Sequence, residues 1–328
     1  MSTWITKSAR GARQSGGALL AVLWLSAALG AIAFTVAGTV RGEVDRASTA
    51  SDDTRAYFLA SGAIQRAILW VLWGRGIPGA YYQPGMPLNY EFPGGNVKVD
   101  VISESSKLNI NFAPPAEIFR LLTALSVPAD QAQAMTEAIV DWRSGAPGNQ
   151  PTPFDMFYLQ QTPSFVATHA SFIEVEDLLA VRGMTPELFY GTWDRDESVQ
   201  PARLVQRLGL RDCISTYSSG ALDVNTTPLP VLLAVGFPPD VAAAIVEQRT
   251  EHPFTNGAMV RAFAANLGPL GGRLMVGGMS MFTIRATARP RTANGSLSDL
   301  KRSVSALIKF MPPESGVLLN IVRWYDRG

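Results

Sequence analysis

The run of apolar and polar positions divides the chain into three stretches of different character. From Gln14 to Val40 no residue is charged, and the apolar segment Ala18 to Leu25 continues through Ile32, Phe34 and Val36. That is long enough to cross a bilayer as a helix. Past Arg41 the pattern changes but does not stop. Ala56, Ala60, Ala63, Ala67 and Trp70 recur at three- and four-residue steps, with Arg55, Gln65 and Arg66 off the stripe, which predicts an amphipathic continuation. One helical stem from about Gly17 to Trp73 follows, roughly 85 Å long at the usual rise per residue. Ser51, with Asp52 and Asp53 behind it, is placed to cap or recap its second half, and Gly38 and Gly42 are points where it loosens.

After turn-rich residues from Gly74 to Pro87, the period becomes two. Val97 to Val101 alternates, as does Phe282 to Ala288. Asn294-Gly295 offers a tight turn, Val304, Ala306, Ile308 and Phe310 share one face, and Leu318 to Trp324 adds a last strand. Strands at both ends of this region with helices between them predict a small antiparallel sheet packed on the stem and interrupted by a large helical insertion.

The middle carries a weak internal repeat. Leu108-Asn109-Ile110-Asn111-Phe112-Ala113-Pro114 leads into a helix with Ile118, Leu121, Leu122 and Leu125. Leu222-Asp223-Val224-Asn225-Thr226-Thr227-Pro228 leads into one with Leu229, Leu232 and Leu233. A second helix follows in each unit, with Met135, Ala138, Ile139 and Trp142 before Arg143 in the first, and Val241, Ala244 and Ile245 before Arg249 in the second. Asn111 and Asn225, each just ahead of a proline-containing helix start, are expected to cap free backbone amides.

Composition narrows what such a chain does. Its 328 residues hold about two domains, and 28 basic side chains nearly cancel 27 acidic ones without a basic tract, so there is no electrostatic footprint for nucleic acid. The one cysteine, Cys213, forms no internal disulfide and reads as a small buried hydrophobe. Lys7, Arg10 and Arg13 precede the apolar run without an acidic residue, whereas Arg41, Glu43, Asp45 and Arg46 follow it, which leaves the N-terminus in the cytoplasm and exports the rest. Ala31-Ile32-Ala33 is a candidate cleavage site of an ordinary secretory signal. Against it stands the apolar pattern, which continues through that site and far beyond. A plain signal anchor that is never cut is the other alternative.

The segment Arg13-Gln14-Ser15-Gly16-Gly17-Ala18-Leu19-Leu20-Ala21-Val22-Leu23-Trp24-Leu25 resembles the processing region of type IV pilins and pseudopilins, in particular the type II secretion system minor pseudopilin K (general secretion pathway protein K). The resemblance implies a prepilin peptidase cut between Gly16 and Gly17 and methylation of the new amine. It also covers Leu108 to Pro114, Glu176 to Thr185 and Leu222 to Thr227, the last three falling in the family's inserted domain. Most pilins carry glutamate where this chain has Ala21; K pseudopilins lack it. A carboxylate buried in an apolar helix needs a positive partner such as a neighbouring subunit's terminal amine, and a tip subunit has no neighbour above it.

The expected fold is α+β: a pilin-like long N-terminal helix on a small antiparallel sheet, with a large all-α insertion of helix-hairpin-helix or SAM-like type. The expected divisions are a leader over 1–16, a transmembrane part over 17–40, stem and first part of the head over 41–107, the inserted domain over 108–278 and the C-terminal strands over 279–328. The resemblance implies a minor pseudopilin at the tip of the secretion pseudopilus, single-pass in the inner membrane with a periplasmic head. Its partners would be I- and J-type minor pseudopilins, the prepilin peptidase and the secretion machinery. A membrane-anchored DNA-uptake protein is the binding alternative, although Ser126-Val127-Pro128 and Gly236-Phe237-Pro238-Pro239 lack the Gly-x-Gly hairpin that presents amides to phosphate. No enzyme is expected: His169 and His252 stand in no metal-ligand spacing, and no nucleophile motif is present. Glu174, Glu176 and Asp177, at the start of a predicted helix, suit its dipole. No cofactor is assigned. Several K pseudopilins hold calcium through acidic loops, but the loop after Trp142 reads Arg143-Ser144-Gly145-Ala146-Pro147-Gly148-Asn149-Gln150. Asp194, Asp196 and Glu197 are the one compact acidic cluster in a predicted loop, with Arg195 among them, and no ligand set follows.

Overall fold

The structure is a computed structural model that describes residues 17–76, 87–146, 148, 150–196, 203–277, 280–292 and 294–326. The leader, with Gly16, therefore lies outside the described residues, as do most of the turn-rich segment after the stem and Glu197. The chain divides into two units, Met1–Arg55 and Ala56–Gly328.

Helix α1 (Gly17–Gly76) is a single element of 60 residues. In the first unit its side chains are almost all exposed, among them Leu19, Leu23, Trp24, Ile32 and Phe34. Hydroxyls in this stretch bond back to the preceding turn: Ser26 Oγ donates to the Val22 carbonyl (2.5 Å), Thr35 to Ala31 (2.8 Å) and Thr39 to Thr35 (3.0 Å). Each hydroxyl thus finds its acceptor within the helix itself. The loosening at Gly38 and Gly42 and the recapping at Ser51 do not occur. Thr49 and Thr54 bond to Asp45 and Ala50 one turn back, and the pairs Arg46–Glu43 and Arg55–Asp52 sit three residues apart along the same helix.

The second unit begins with the remainder of α1. Strands β1 (Leu88–Phe92) and β2 (Gly95–Ser103) form a hairpin, followed by the two-residue β3 (Leu108–Asn109), α2 (Pro115–Ala124), α3 (Ala129–Arg143), α4 (Pro153–Tyr158) and α5 (Pro186–Tyr190). Then come β4 (Thr192–Asp196), β5 (Arg203–Arg207), α6 (Leu210–Cys213), β6 (Ile214–Ser215), β7 (Leu222–Asp223), α7 (Leu229–Val235), α8 (Pro239–Glu251), α9 (Gly257–Phe263), α10 (Gly268–Gly271) and β8 (Leu274–Met275). The long strands β9 (Met281–Pro290), β10 (Arg302–Phe310) and β11 (Leu319–Tyr325) close the chain.

The five-stranded sheet has the order β1-β2-β9-β10-β11, and each of its neighbouring pairs is antiparallel. Everything between β2 and β9 is thus inserted between two adjacent strands. Strand alternation sends Val97, Val99, Val101, Ile284, Ala286, Ala288, Val304, Ala306 and Ile308 to one face, where they pack on Ala56, Ala60, Ala63, Ile64, Ala67, Ile68 and Val71 of α1. Four alanines along one helix stripe, facing alanines on β9 and β10, let backbone approach backbone closely. The α+β organisation expected from the sequence is the one observed. The mainly helical middle also carries an unannounced β-hairpin, β4 with β5, in which Asp194 and Asp196 are strand residues opposite Val205 and Arg203.

The insertion has its own core, built on Leu121, Leu122, Ile139, Trp142, Tyr158 and Phe189 from its first half and Leu232, Ile245 and Phe254 from its second. Trp142 lies flat against Phe172, with ring centroids 6.1 Å apart and 7° between planes. Arg120 Nε donates to the Ala234 carbonyl (2.7 Å) and ties α2 to α7.

Candidate functional site

The repeat seen in the sequence becomes a repeated structural device, though a different one from that expected. Pro114 and Pro228 occupy the cap positions of α2 and α7, and neither helix has a side-chain cap. Asn111 and Asn225 stand too far upstream to cap. Each spans a distant backbone instead: Asn111 Oδ1 accepts from Phe172 N (2.8 Å) while its Nδ2 donates to Phe172 O (3.0 Å). Asn225 does the same with Phe254 (2.9 and 2.8 Å). A side-chain amide laid against one residue's N–H and C=O pairs both groups at once, as a strand neighbour would.

Two further parts of the device repeat. The residue two before each asparagine, Asn109 or Asp223, accepts from the asparagine's own N–H (2.9 and 3.3 Å). The arginine that ends each second helix reaches back: Arg143 donates to the carbonyls of Ile110 and Ala113, and Arg249 to those of Val224 and Thr227. Burial pulls both guanidinium pKa values down from the usual range, most of their hydrogen bonding here being to neutral carbonyls. Each unit also begins with a short parallel pair, β3 with β6 and β7 with β8.

The hairpins between helices use their own amides. Ser126 N donates to Thr123 O and Val127 N to Leu122 O; Gly236 N donates to Leu233 O and Phe237 N to Leu232 O. Ser126 and Gly236 hold left-handed backbone, at φ 67° and 109°, which makes these back-bonds possible. Those N–H groups are thereby engaged and do not project toward a ligand.

The face of the sheet opposite α1 meets the insertion through charge. Glu104, fully buried, accepts from Lys107 Nζ (2.9 Å) and Thr283 Oγ1 (2.6 Å). Burial alone would raise its pKa, but Lys107, with hydrogen bonds from Ser215 and Thr283, outweighs that and holds the carboxyl below its usual range. Arg285 of β9 faces Asp212 (3.4 Å), and Arg323 of β11 pairs with Glu174. Tyr325 is pushed up to about 12 by burial and by Glu176 nearby. Glu174 is the cap residue of the 3-10 turn Val175–Ala180, within which Asp177 Oδ2 accepts from Glu174 N (3.0 Å). Glu174 thus belongs both to a capped turn and to the seam with the sheet.

His169 is the other charged knot. Its Nε2 meets Asp155 Oδ2 (2.8 Å) and its Nδ1 meets the Ser144 carbonyl (3.2 Å). Both neighbours are acceptors, so both ring nitrogens donate when the imidazole is protonated. The Asp155 hydrogen bond raises the His169 pKa. Asp155 in turn is held low despite its burial by His169 and by the amides of Thr152 and Ala167.

Of the residues expected to matter, Gly17 is the first residue of α1 and Ala21 lies exposed on its surface. Gly16 is outside the described residues. Cys213 is buried, and burial pushes its thiol up to about 12, which leaves it a packing group. Asp194 pairs with Arg207 (3.0 Å). Among the described residues no group of three or more His, Cys, Asp or Glu is placed to hold a metal ion.

Residues 104–191 match the family model of the type II secretion system (T2SS), protein K. That segment holds the first unit of the repeat, with Asn111, Arg143 and Phe172. The fold is similar to a chain of the crystal structure of the GspK-GspI-GspJ complex from the enterotoxigenic Escherichia coli type 2 secretion system. The TM-score is 0.57 at 16% identity, over 86% of this chain and 99% of that one. No curated protein matches. The resemblance to K pseudopilins read at Leu108 to Pro114 and at Glu176 to Thr185 is met by the family match over residues 104–191, and the fold is similar to that of the chain named above.

Proposed function

We propose that this chain is a K-type minor pseudopilin of a type II secretion system, acting at the tip of the pseudopilus. The observation that carries this is the protein K match over residues 104–191, in a domain inserted between two neighbouring strands of a sheet that packs on a long N-terminal helix. Prepilin peptidase cuts after Gly16, and the methylated Gly17 becomes the N-terminus. The apolar, exposed part of α1 anchors the protein in the inner membrane, being long and apolar enough to cross it, with its N-terminus cytoplasmic and residues 56–328 periplasmic.

Assembly is driven by the stem. Ala27, Ala28, Gly30 and Ala31 give a patch where a partner helix approaches closely, and a Cβ built on Gly30 would meet nothing within 4 Å. The partners are the I- and J-type minor pseudopilins, whose counterparts share the complex named above. Ala21 suits the topmost position because it brings no carboxylate needing a positive neighbour above. The protein performs no bond-making chemistry; it nucleates the filament that supports export across the outer membrane.

Co-expression with I- and J-type pseudopilins and purification of the full chain in detergent tests this directly. A ternary complex, with loss of secretion on deletion of the gene, is the expected result. Normal export and normal pseudopili in the deletion strain would overturn it.

A further inference from the structure

A trough of about 710 Å³ runs along α3, between it and the first turns of α2 and α4. Its lining on α3 recurs at three- and four-residue steps from Gln133 through Glu137, Val140 and Asp141 to Ser144, so it follows one face of the helix for about 16 Å. The floor is apolar. Phe119, Val140 and Phe154 pack against the insertion's core from outside and stay half-buried, and Ala116 beside them is exposed. The rim is acidic. Glu137, exposed, and Asp141, half-buried, stand one turn apart on α3. Glu137 accepts from Gln133 Nε2 (2.7 Å) and Asp141 from Thr152 Oγ1 (3.2 Å), and among the described residues neither pairs with Lys or Arg. The arginines of the same two helices are engaged elsewhere, Arg120 with the Ala234 carbonyl and Arg143 with those of Ile110 and Ala113. His169, which also lines the trough, is held by Asp155 and the Ser144 carbonyl.

Open apolar surface and uncompensated charge select the same occupant. A carboxylate beside an apolar floor is less screened than one in open water, so an opposite charge brought there gains more than it would at a free surface. The two acids are separated by one helical turn, and so are side chains four residues apart on a helix laid along α3. We propose that the trough docks an amphipathic helix of a partner protein. Its apolar side chains rest on Phe119, Val140 and Phe154, and its Lys or Arg residues, one turn apart, meet Glu137 and Asp141. Nothing in this recognition depends on the filament that the chain joins.

The test is fluorescence anisotropy of a labelled peptide, with the full-length chain in phosphatidylcholine nanodiscs and empty nanodiscs as the blank. The probe is a helical peptide of alanine, leucine and lysine, with lysines one turn apart beside a leucine stripe; the control peptide carries glutamate for each lysine. Saturable binding of the lysine peptide, weakened by salt, and none of the glutamate peptide are expected. Glu137→Lys should weaken binding about tenfold. It should also gain affinity for the glutamate peptide, which a merely disturbed fold would not. Ala116→Trp, at an exposed position, crowds the trough and should weaken binding at every salt concentration. No saturable binding to the wild type, equal affinity for the glutamate peptide, or undiminished binding in both variants overturns the proposal. Self-association of the chain that Glu137→Lys abolishes would make the occupant a second copy and overturn it as well.

Discussion

Replacing Asn225 by alanine removes two hydrogen bonds and strands both backbone groups of Phe254. Phe254 is 2% exposed and Asn225 is buried, so no water reaches the orphaned N–H and C=O. Each buried group left without a partner costs about 1–3 kcal/mol, the lost bond included, so two groups in the lower half of that range come to about 3 kcal/mol. In a unit of this size that corresponds to a drop of about 6–10 °C in melting temperature. Asn111→Ala removes the same pair of bonds from Phe172, but Asn111 is only half-buried. Water can partly replace its amide, so the loss should be smaller, about 1–2 kcal/mol.

The comparison between the two sites carries the test. Thermal unfolding of the full chain in detergent, followed by near-ultraviolet circular dichroism, reports Trp142 stacked on Phe172 as well as global melting. Asn225→Asp keeps the oxygen that accepts from Phe254 N and loses the donor to Phe254 O, so it should fall between wild type and alanine. If Asn225→Ala melts within about 1 °C of wild type, or Asn111→Ala proves the worse of the two, the clips are ornaments of the fold and the accounting of buried backbone groups is wrong.

The stem-to-sheet contact should tolerate no added bulk: Ala63→Leu, at a position with no exposure against β9 and β10, should destabilise by about 1–3 kcal/mol in the same melting assay. The His169–Asp155 pair should give a pH window. Asp155 lies below its usual 3.8, so its contribution is present above that value and is lost as pH falls through the lowered pKa. His169 lies above its usual 6.5, so its contribution is present below 6.5 and is lost as pH rises through the raised pKa. Wild type should therefore exceed Asp155→Asn by about 2 kcal/mol between those limits, with the gap closing on both sides in unfolding curves taken across pH. Gly16→Leu should block processing while keeping the anchor, so the intact mass should retain the leader; a mature chain beginning at Gly17 in that variant would remove the peptidase from the account.

The long elements were legible because each obeys one period. Val97 to Val101, Phe282 to Ala288 and Val304 to Phe310 alternate over enough residues to fix which face is buried, and all lie in the sheet. The hairpin of β4 and β5 was hidden because its strand reads Thr-Trp-Asp-Arg-Asp, a composition that strands avoid; backbone pairing joins it to β5, with Asp194 and Arg207 meeting across the two strands. Strand β1 was missed for a related reason: it is a short edge strand behind a turn-rich segment. The asparagines illustrate a third limit. Their place just ahead of a proline-containing helix start suggested capping, but their real partners, Phe172 and Phe254, lie far along the chain, and no local pattern points to them.

The two units of the repeat share their skeleton and differ where they meet the rest of the molecule, which says how the insertion works as a part. In the first unit the loop gripped by Asn111 continues into Glu174, which pairs with Arg323 of β11, and Lys107 just before β3 secures Glu104 beneath β9. The equivalent loop in the second unit, gripped by Asn225, continues into α9. It stays with its own core. The first unit is fastened to the sheet by these ion pairs and hydrogen bonds, beside Leu307 of β10, which is also buried on that face. Such a seam is directional: each charged group requires its own partner, so the insertion has one favoured seat on the sheet where an apolar interface would allow sliding. For the tip role proposed above, that property matters more than strength, since a filament built beneath such a subunit would inherit the orientation of whatever it starts from.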